Sequence, residues 1–108
     1  MAKGYWIAHI TITDVNLYKE YAAANQAAFK KFGAKYIVRG GNAVAGLAGS
    51  QIEVVSGTAR DRHVVLEFES FETAVACHNS PEYQAAAQIR DRGSKVDLLI
   101  IEGYEPPA

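Results

Sequence analysis

Along Gly4–Ile12 the side chains divide at a spacing of two. Trp6, Ala8, Ile10 and Ile12 form one set, and Tyr5, Ile7, His9 and Thr11 the other. That period, carried by aromatic and β-branched residues, predicts a strand whose first set faces a core. After Asp14, whose carboxylate suits an N-cap, the period changes. Tyr18, Tyr21, Ala22, Ala28, Phe29 and Phe32 recur near helical spacing, which predicts a helix from Val15 to Phe32 closed by Gly33. A second strand, Lys35–Arg39, is expected to turn Tyr36 and Val38 to the helices and Lys35, Ile37 and Arg39 away. A glycine-rich stretch, Gly40–Arg62, then contains one strand-like patch at Ile52–Val55 and reads as an extended hairpin arm over residues 41–60.

The third strand, His63–Glu69, sends Val64, Leu66 and Phe68 to the core and His63, Val65 and Glu67 to the opposite side. Ser70 caps a short helix to about Cys77. Ser80, with Pro81 and Glu82 behind it, starts another that runs to Arg92 and stops at Gly93. The last strand is Val96–Gly103, and residues 104–108 form a loose tail. The order βαββαβ predicts an α+β, ferredoxin-like single domain over residues 1–108: a four-stranded antiparallel sheet in order 4-1-3-2 with its helices on one face. Two strands, His63–Glu69 and Asp97–Glu102, are apolar on both sides, so the helix-free face also carries apolar residues. A contiguous patch of this kind predicts a homodimer formed face to face through the helix-free side.

Composition narrows the possibilities further. Hydrophobic residues make up 49% of the chain and charged residues 21%, the balance of a globular domain. A net charge of −1 gives no electrostatic footprint for nucleic acid or an anionic membrane. One cysteine, no secretory leader pattern and no apolar run near the roughly 20 residues of a membrane span predict a cytoplasmic protein. The histidines and Cys77 lack metal-ligand spacing, and the arm glycines match no phosphate-binding loop, so neither metal nor cofactor is expected. RNA-recognition domains share the element order, but Leu66–Glu69 lacks their basic, aromatic signature.

The expected chemistry lies on the helix-free face, where His9, Arg39 and Glu67 fall on three adjacent strands. Arg39 suits a carboxylate or enolate, with His9 or Glu67 moving a proton, and Tyr5 and His63 stand near the rim. The competing reading makes Arg39 and Glu67 a structural ion pair with His9 as filler, and the protein a non-catalytic binding or dimerisation module. An open pocket beside Arg39 favours ligand binding. Cys77 and His78 diverge by about 100° on a helix, so they cannot act as a nucleophile–base pair. Cys77 reads as a core residue, and His78 with Asn79 and Tyr83 as lining between helix and sheet.

Gly4–Ala8, the Val38–Gly41 turn, Val65–Phe68, Ser70 with Ala74, Asn79–Gln84 and Ile100–Gly103 together resemble the family catalogued as domain of unknown function 1330, over nearly the whole chain. The resemblance implies a dimeric α+β barrel, in a superfamily that holds small monooxygenases, isomerases and haem-handling enzymes. The family's own chemistry is unassigned, so the resemblance carries the fold; the residues of the helix-free face are read as binding a small anionic or carbonyl-containing metabolite, with cofactor-independent proton transfer or oxygenation left open. Haem ligation through His78 or His63 is raised by that analogy alone. The chain departs from the family pattern in its long arm and in Cys77-His78, where a bulky aromatic is common.

Overall fold

A computed structural model describes residues 2–107; Ala108, at the end of the expected tail, and Met1 lie outside the described residues. Four strands, β1 (Gly4–Ile12), β2 (Lys35–Gly41), β3 (Arg62–Phe68) and β4 (Ser94–Glu102), form one antiparallel sheet in the order β2-β3-β1-β4. Four helices, α1 (Val15–Ala24), α2 (Gln26–Phe32), α3 (Phe71–Asn79) and α4 (Pro81–Gly93), connect them. This is the expected ferredoxin-like α+β arrangement. The molecule measures 18 Å along its shortest axis, the depth of one helix layer on one sheet. No described helix is long and apolar enough to cross a membrane.

The helix termini follow local chemistry. Asp14 Oδ1 accepts from the amides of Asn16 and Leu17, Ser70 Oγ from Thr73, and Ser80 Oγ from Tyr83. Gly33 closes α2 in the left-handed conformation at φ 69°, where a side chain would be strained. The single helix expected over Val15–Phe32 divides into α1 and α2 at Asn25. Its buried amide oxygen accepts from Gln26 Nε2 at 2.8 Å, a local bond that competes with regular helix. Gly93 has a packing role: a Cβ there would sit 2.6 Å from Leu17 Cβ, so the absent side chain lets α4 close on α1.

Trp6, Leu66, Phe68, Phe29, Tyr83, Ala74 and Cys77 are the centre of the core between helices and sheet. The Trp6 ring lies 4.8 Å from Tyr83, 5.4 Å from Phe68 and 5.5 Å from Phe29, and its indole N–H donates to Ala74 O at 2.9 Å. Cys77 is fully buried, as its sequence context predicts.

Two segments depart from expectation. Ile52–Val55 forms no strand, and the arm contains only an isolated bridge between Val44 and Leu47. The four-residue patch has no strand beside it to complete a ladder, and every residue from 51 to 59 is exposed. The second departure lies in β2. Lys35 and Tyr36 pair with Glu67 and Leu66, but Val38 pairs with Val65 and Arg39 with Val64, so Ile37 is an extra, bulged residue. Beyond the bulge the alternation of faces is inverted. Val38 joins the helix-free face and Arg39 the helix face, the reverse of the sequence expectation.

Candidate functional site

The bulge separates the expected constellation of His9, Arg39 and Glu67. Glu67 instead accepts a hydrogen bond from the Tyr5 hydroxyl at 3.0 Å, directly opposite in register. That bond, reinforced by desolvation and the carboxylate's charge, raises the Tyr5 pKa above the ordinary tyrosine value. His9 faces His63, with one Nδ1 donating to the other across 2.8 Å. These four residues make two polar rungs on the helix-free face. Between them runs an apolar row, Val38–Val65–Ile7–Leu99, spanning all four strands. Arg39 makes no ion pair with Glu67; its guanidinium lies 4.7 Å from the Tyr36 ring centroid on the other side of the sheet.

There Arg39 enters a cleft between α1, α4 and the sheet. Its inner compartment, about 40 Å³, is walled by Trp6, Phe29, Tyr36 and Leu66 and reached by Tyr21, Tyr83, Arg39 and Arg90. A wider outer compartment of about 330 Å³, lined by His78, Arg90, Val96, Leu98 and Ile100, adjoins it past Arg90. The polar groups are connected. Arg90 NH1 donates to the Tyr83 hydroxyl at 3.0 Å, and Tyr83 and Tyr21 share a hydrogen bond of 2.8 Å.

The electrostatics follow from this packing. Burial, then the neighbouring Tyr83, pushes the Tyr21 pKa well above its ordinary value. Burial also raises Tyr83, although its bond to Tyr21 and the adjacent Arg90 charge work the other way. Tyr18, at the cleft's edge, is raised by burial against the pull of Arg62 and Arg39. For Arg90, burial opposes the charge, but Tyr83 and Asp91 outweigh it and raise the pKa. The cleft is therefore rich in donors: protonated phenols and two guanidiniums, with no carboxylate lining its walls among the described residues.

Arg90, Tyr21 and Tyr18 were not singled out as site residues by the sequence pattern. A signal was available for one of them, since Tyr83 and Arg90 are seven apart on α4 and share a helix face. His78 lines the outer compartment as expected. Its Nδ1 stands 3.4 Å from Asn79 Oδ1. A haem does not fit at His63, whose Nδ1 is taken by His9 and whose Nε2 is buried; the His78 ring packs edge-on to Trp6 at 5.8 Å.

The model of a family described as a domain of unknown function, DUF1330, matches residues 3–104. No curated protein matches the chain. Among solved structures, a protein of unknown function from Rhodopseudomonas palustris is similar at a TM-score of 0.70 with 15% identity, covering 97% of this chain and 85% of that one. SnoaB, a cofactor-independent oxygenase from Streptomyces nogalater, is similar at 0.61 with 7% identity over 98% of this chain and 97% of its own. A dimeric protein of unknown function and ferredoxin-like fold from Bacteroides fragilis is similar at 0.50 with 13% identity over 93% and 95%. These likenesses establish a shared fold.

Proposed function

This chain belongs to the domain of unknown function 1330 family, and from that premise we propose that it binds a small anionic or carbonyl-containing metabolite in the cleft between helices and sheet. The observation that carries this reading is the charge of the walls: Arg39 enters without a carboxylate partner, Arg90 enters while paired with Asp91, and among the described residues no carboxylate lines either compartment. Guanidiniums and protonated phenols stabilise negative charge on an oxygen, most strongly where water is excluded. The same donors would hold the enolate formed when a proton leaves the carbon beside a carbonyl, and His78, on the wall of the outer compartment, is suited to taking it. No resident cofactor is needed for that step. SnoaB's description as a cofactor-independent oxygenase is compatible with this chemistry, although a 7% identical neighbour speaks to fold alone.

Salicylate, which combines a carboxylate with a small aromatic body, is a suitable probe. In calorimetric titration it is expected to bind saturably, and Arg90→Gln to weaken it about tenfold, the loss of one charge-assisted hydrogen bond. Failure to bind, or equal binding by the variant, would sink the cleft assignment.

The helix-free face we assign to a homodimer; the B. fragilis neighbour is described as dimeric. Support comes from its apolar row and from Leu99 and Ile101 at 49% exposure. Tyr5, Glu67, His9 and His63 are then interface residues. Leu99→Asp places one charge per subunit in that row and is expected to raise the dimer dissociation constant roughly 100-fold in sedimentation equilibrium. An unchanged constant would move the interface elsewhere.

A further inference from the structure

The first half of the arm builds a second compartment next to the cleft. Its Val44–Leu47 turn folds back on α1, where Gly46, at φ 87°, approaches so closely that a Cβ would lie 3.2 Å from Lys19 Nζ. Beneath it is a pocket of about 60 Å³ lined by Lys19, Arg39, Arg62, Tyr18 and Leu47 among others, none of them acidic. Arg62 is fixed here by the arm itself, since its NH1 donates to Ala48 O at 2.8 Å and Asn42 O at 3.1 Å. Those carbonyls orient the guanidinium without neutralising it. Among the described residues the ion pairs are Lys31–Glu82, Arg60–Asp97 and Arg90–Asp91, so the three cations of this pocket have no carboxylate partner.

Three cationic residues line one small space with no carboxylate between them among the described residues, and an anion there would offset their charge. We propose that the pocket formed by Lys19, Arg39 and Arg62 under the arm binds a phosphoryl group. A carboxylate would leave two charges uncompensated, whereas a phosphoryl group carries about −1.5 to −2 and three acceptor oxygens suited to guanidinium forks. Arg39 borders both this pocket and the inner cleft, so the ligand is a phosphorylated small metabolite whose carbonyl-bearing body lies in the cleft. The placement of that body rests on the function proposed above. The phosphoryl site rests on the three cations and the arm.

The test is calorimetric titration of the whole protein with inorganic phosphate alone, at constant ionic strength, beside a parallel titration with acetate. Lys19 and Arg39 are exposed, so phosphate by itself is expected to saturate with a dissociation constant of about 1–10 mM. Lys19→Gln and Arg62→Gln should each weaken it about tenfold. Lys30→Gln, which removes a charge from the far end of α2, should leave it within about twofold. Among the described residues Lys19 has no side-chain hydrogen-bond partner, so its variant stays informative if Arg62→Gln disturbs the arm. A response that does not saturate, that acetate reproduces, or that Lys19→Gln and Lys30→Gln share overturns the site. Salicylate separates the two assignments: phosphate failing while salicylate binds removes only this pocket, and the reverse removes only the cleft.

Discussion

Replacing Trp6 with alanine is expected to cost about 3–5 kcal/mol of folding stability, read as the shift in urea unfolding followed by circular dichroism. The indole is almost wholly buried and stands at the junction of every layer: Phe29 from α2, Tyr83 from α4, Phe68 from β3, and Ala74 of α3 at its N–H. Alanine removes the transfer energy of a bicyclic ring, leaves a cavity that four rigid elements cannot collapse into, and deletes a buried hydrogen bond. Domains of this size are stable by only about 5–15 kcal/mol, so the variant should lie close to the unfolding threshold. Trp6→Phe refills most of the space and should recover more than half of the loss. A cost under about 1.5 kcal/mol for alanine would mean that the helix layer repacks freely over the sheet.

Cys77 supplies the second large effect. Its side chain is buried, its thiol donates toward Ala28 O at 3.8 Å, and burial, followed by the nearby Glu82 charge, pushes its pKa up to about 12 from an ordinary 9.0. The thiolate is the reactive form, so at pH 8 the native protein should react with a disulfide reagent about 1000-fold more slowly than the urea-unfolded chain. Steric exclusion adds to that factor. Because the folded pKa is raised, the folded state holds the proton more tightly than the unfolded state. The stability this provides is complete below pH 9 and is lost as pH rises towards 12. Tyr18, Tyr21 and Tyr83, all raised above 10.0, contribute with the same sign at the alkaline end. The urea midpoint should therefore fall steadily above pH 9. Cys77→Ala should start lower at pH 7, through its cavity, and fall less steeply. Parallel alkaline limbs, or native labelling at the unfolded rate, would show that α3 opens locally.

Both effects arise from parts of the chain whose placement is local in origin. Trp6 belongs to the core set of the first strand by simple alternation, and Cys77 follows from a helix whose cap and periodicity are written in Ser70–Cys77. Element order, the caps at Asp14, Ser70 and Ser80, the left-handed Gly33 and the helix-free apolar face needed only short-range patterns and their periods. Those patterns hold because each records how neighbouring residues divide between water and protein.

Arg39 shows where that information ends. Tyr36, Ile37 and Val38 are apolar in succession, so no alternation marks a phase across them, and either face suits each residue. The bulge at Ile37 is decided by pairing with β3, which sets Val38 beside Val65 on the open face and turns Arg39 into the cleft. A one-residue slip thus removed Arg39 from Glu67 and His9 and joined it to Tyr18, Tyr36 and Arg90. The meeting of Tyr21 on α1 with Tyr83 and Arg90 on α4, and of Arg62 with the arm carbonyls, likewise depends on elements far apart in the chain. The sequence alone determined which elements form and which faces need covering, because burial acts residue by residue. Only the tertiary structure decided which charges share a pocket, because strand register and helix docking are collective choices.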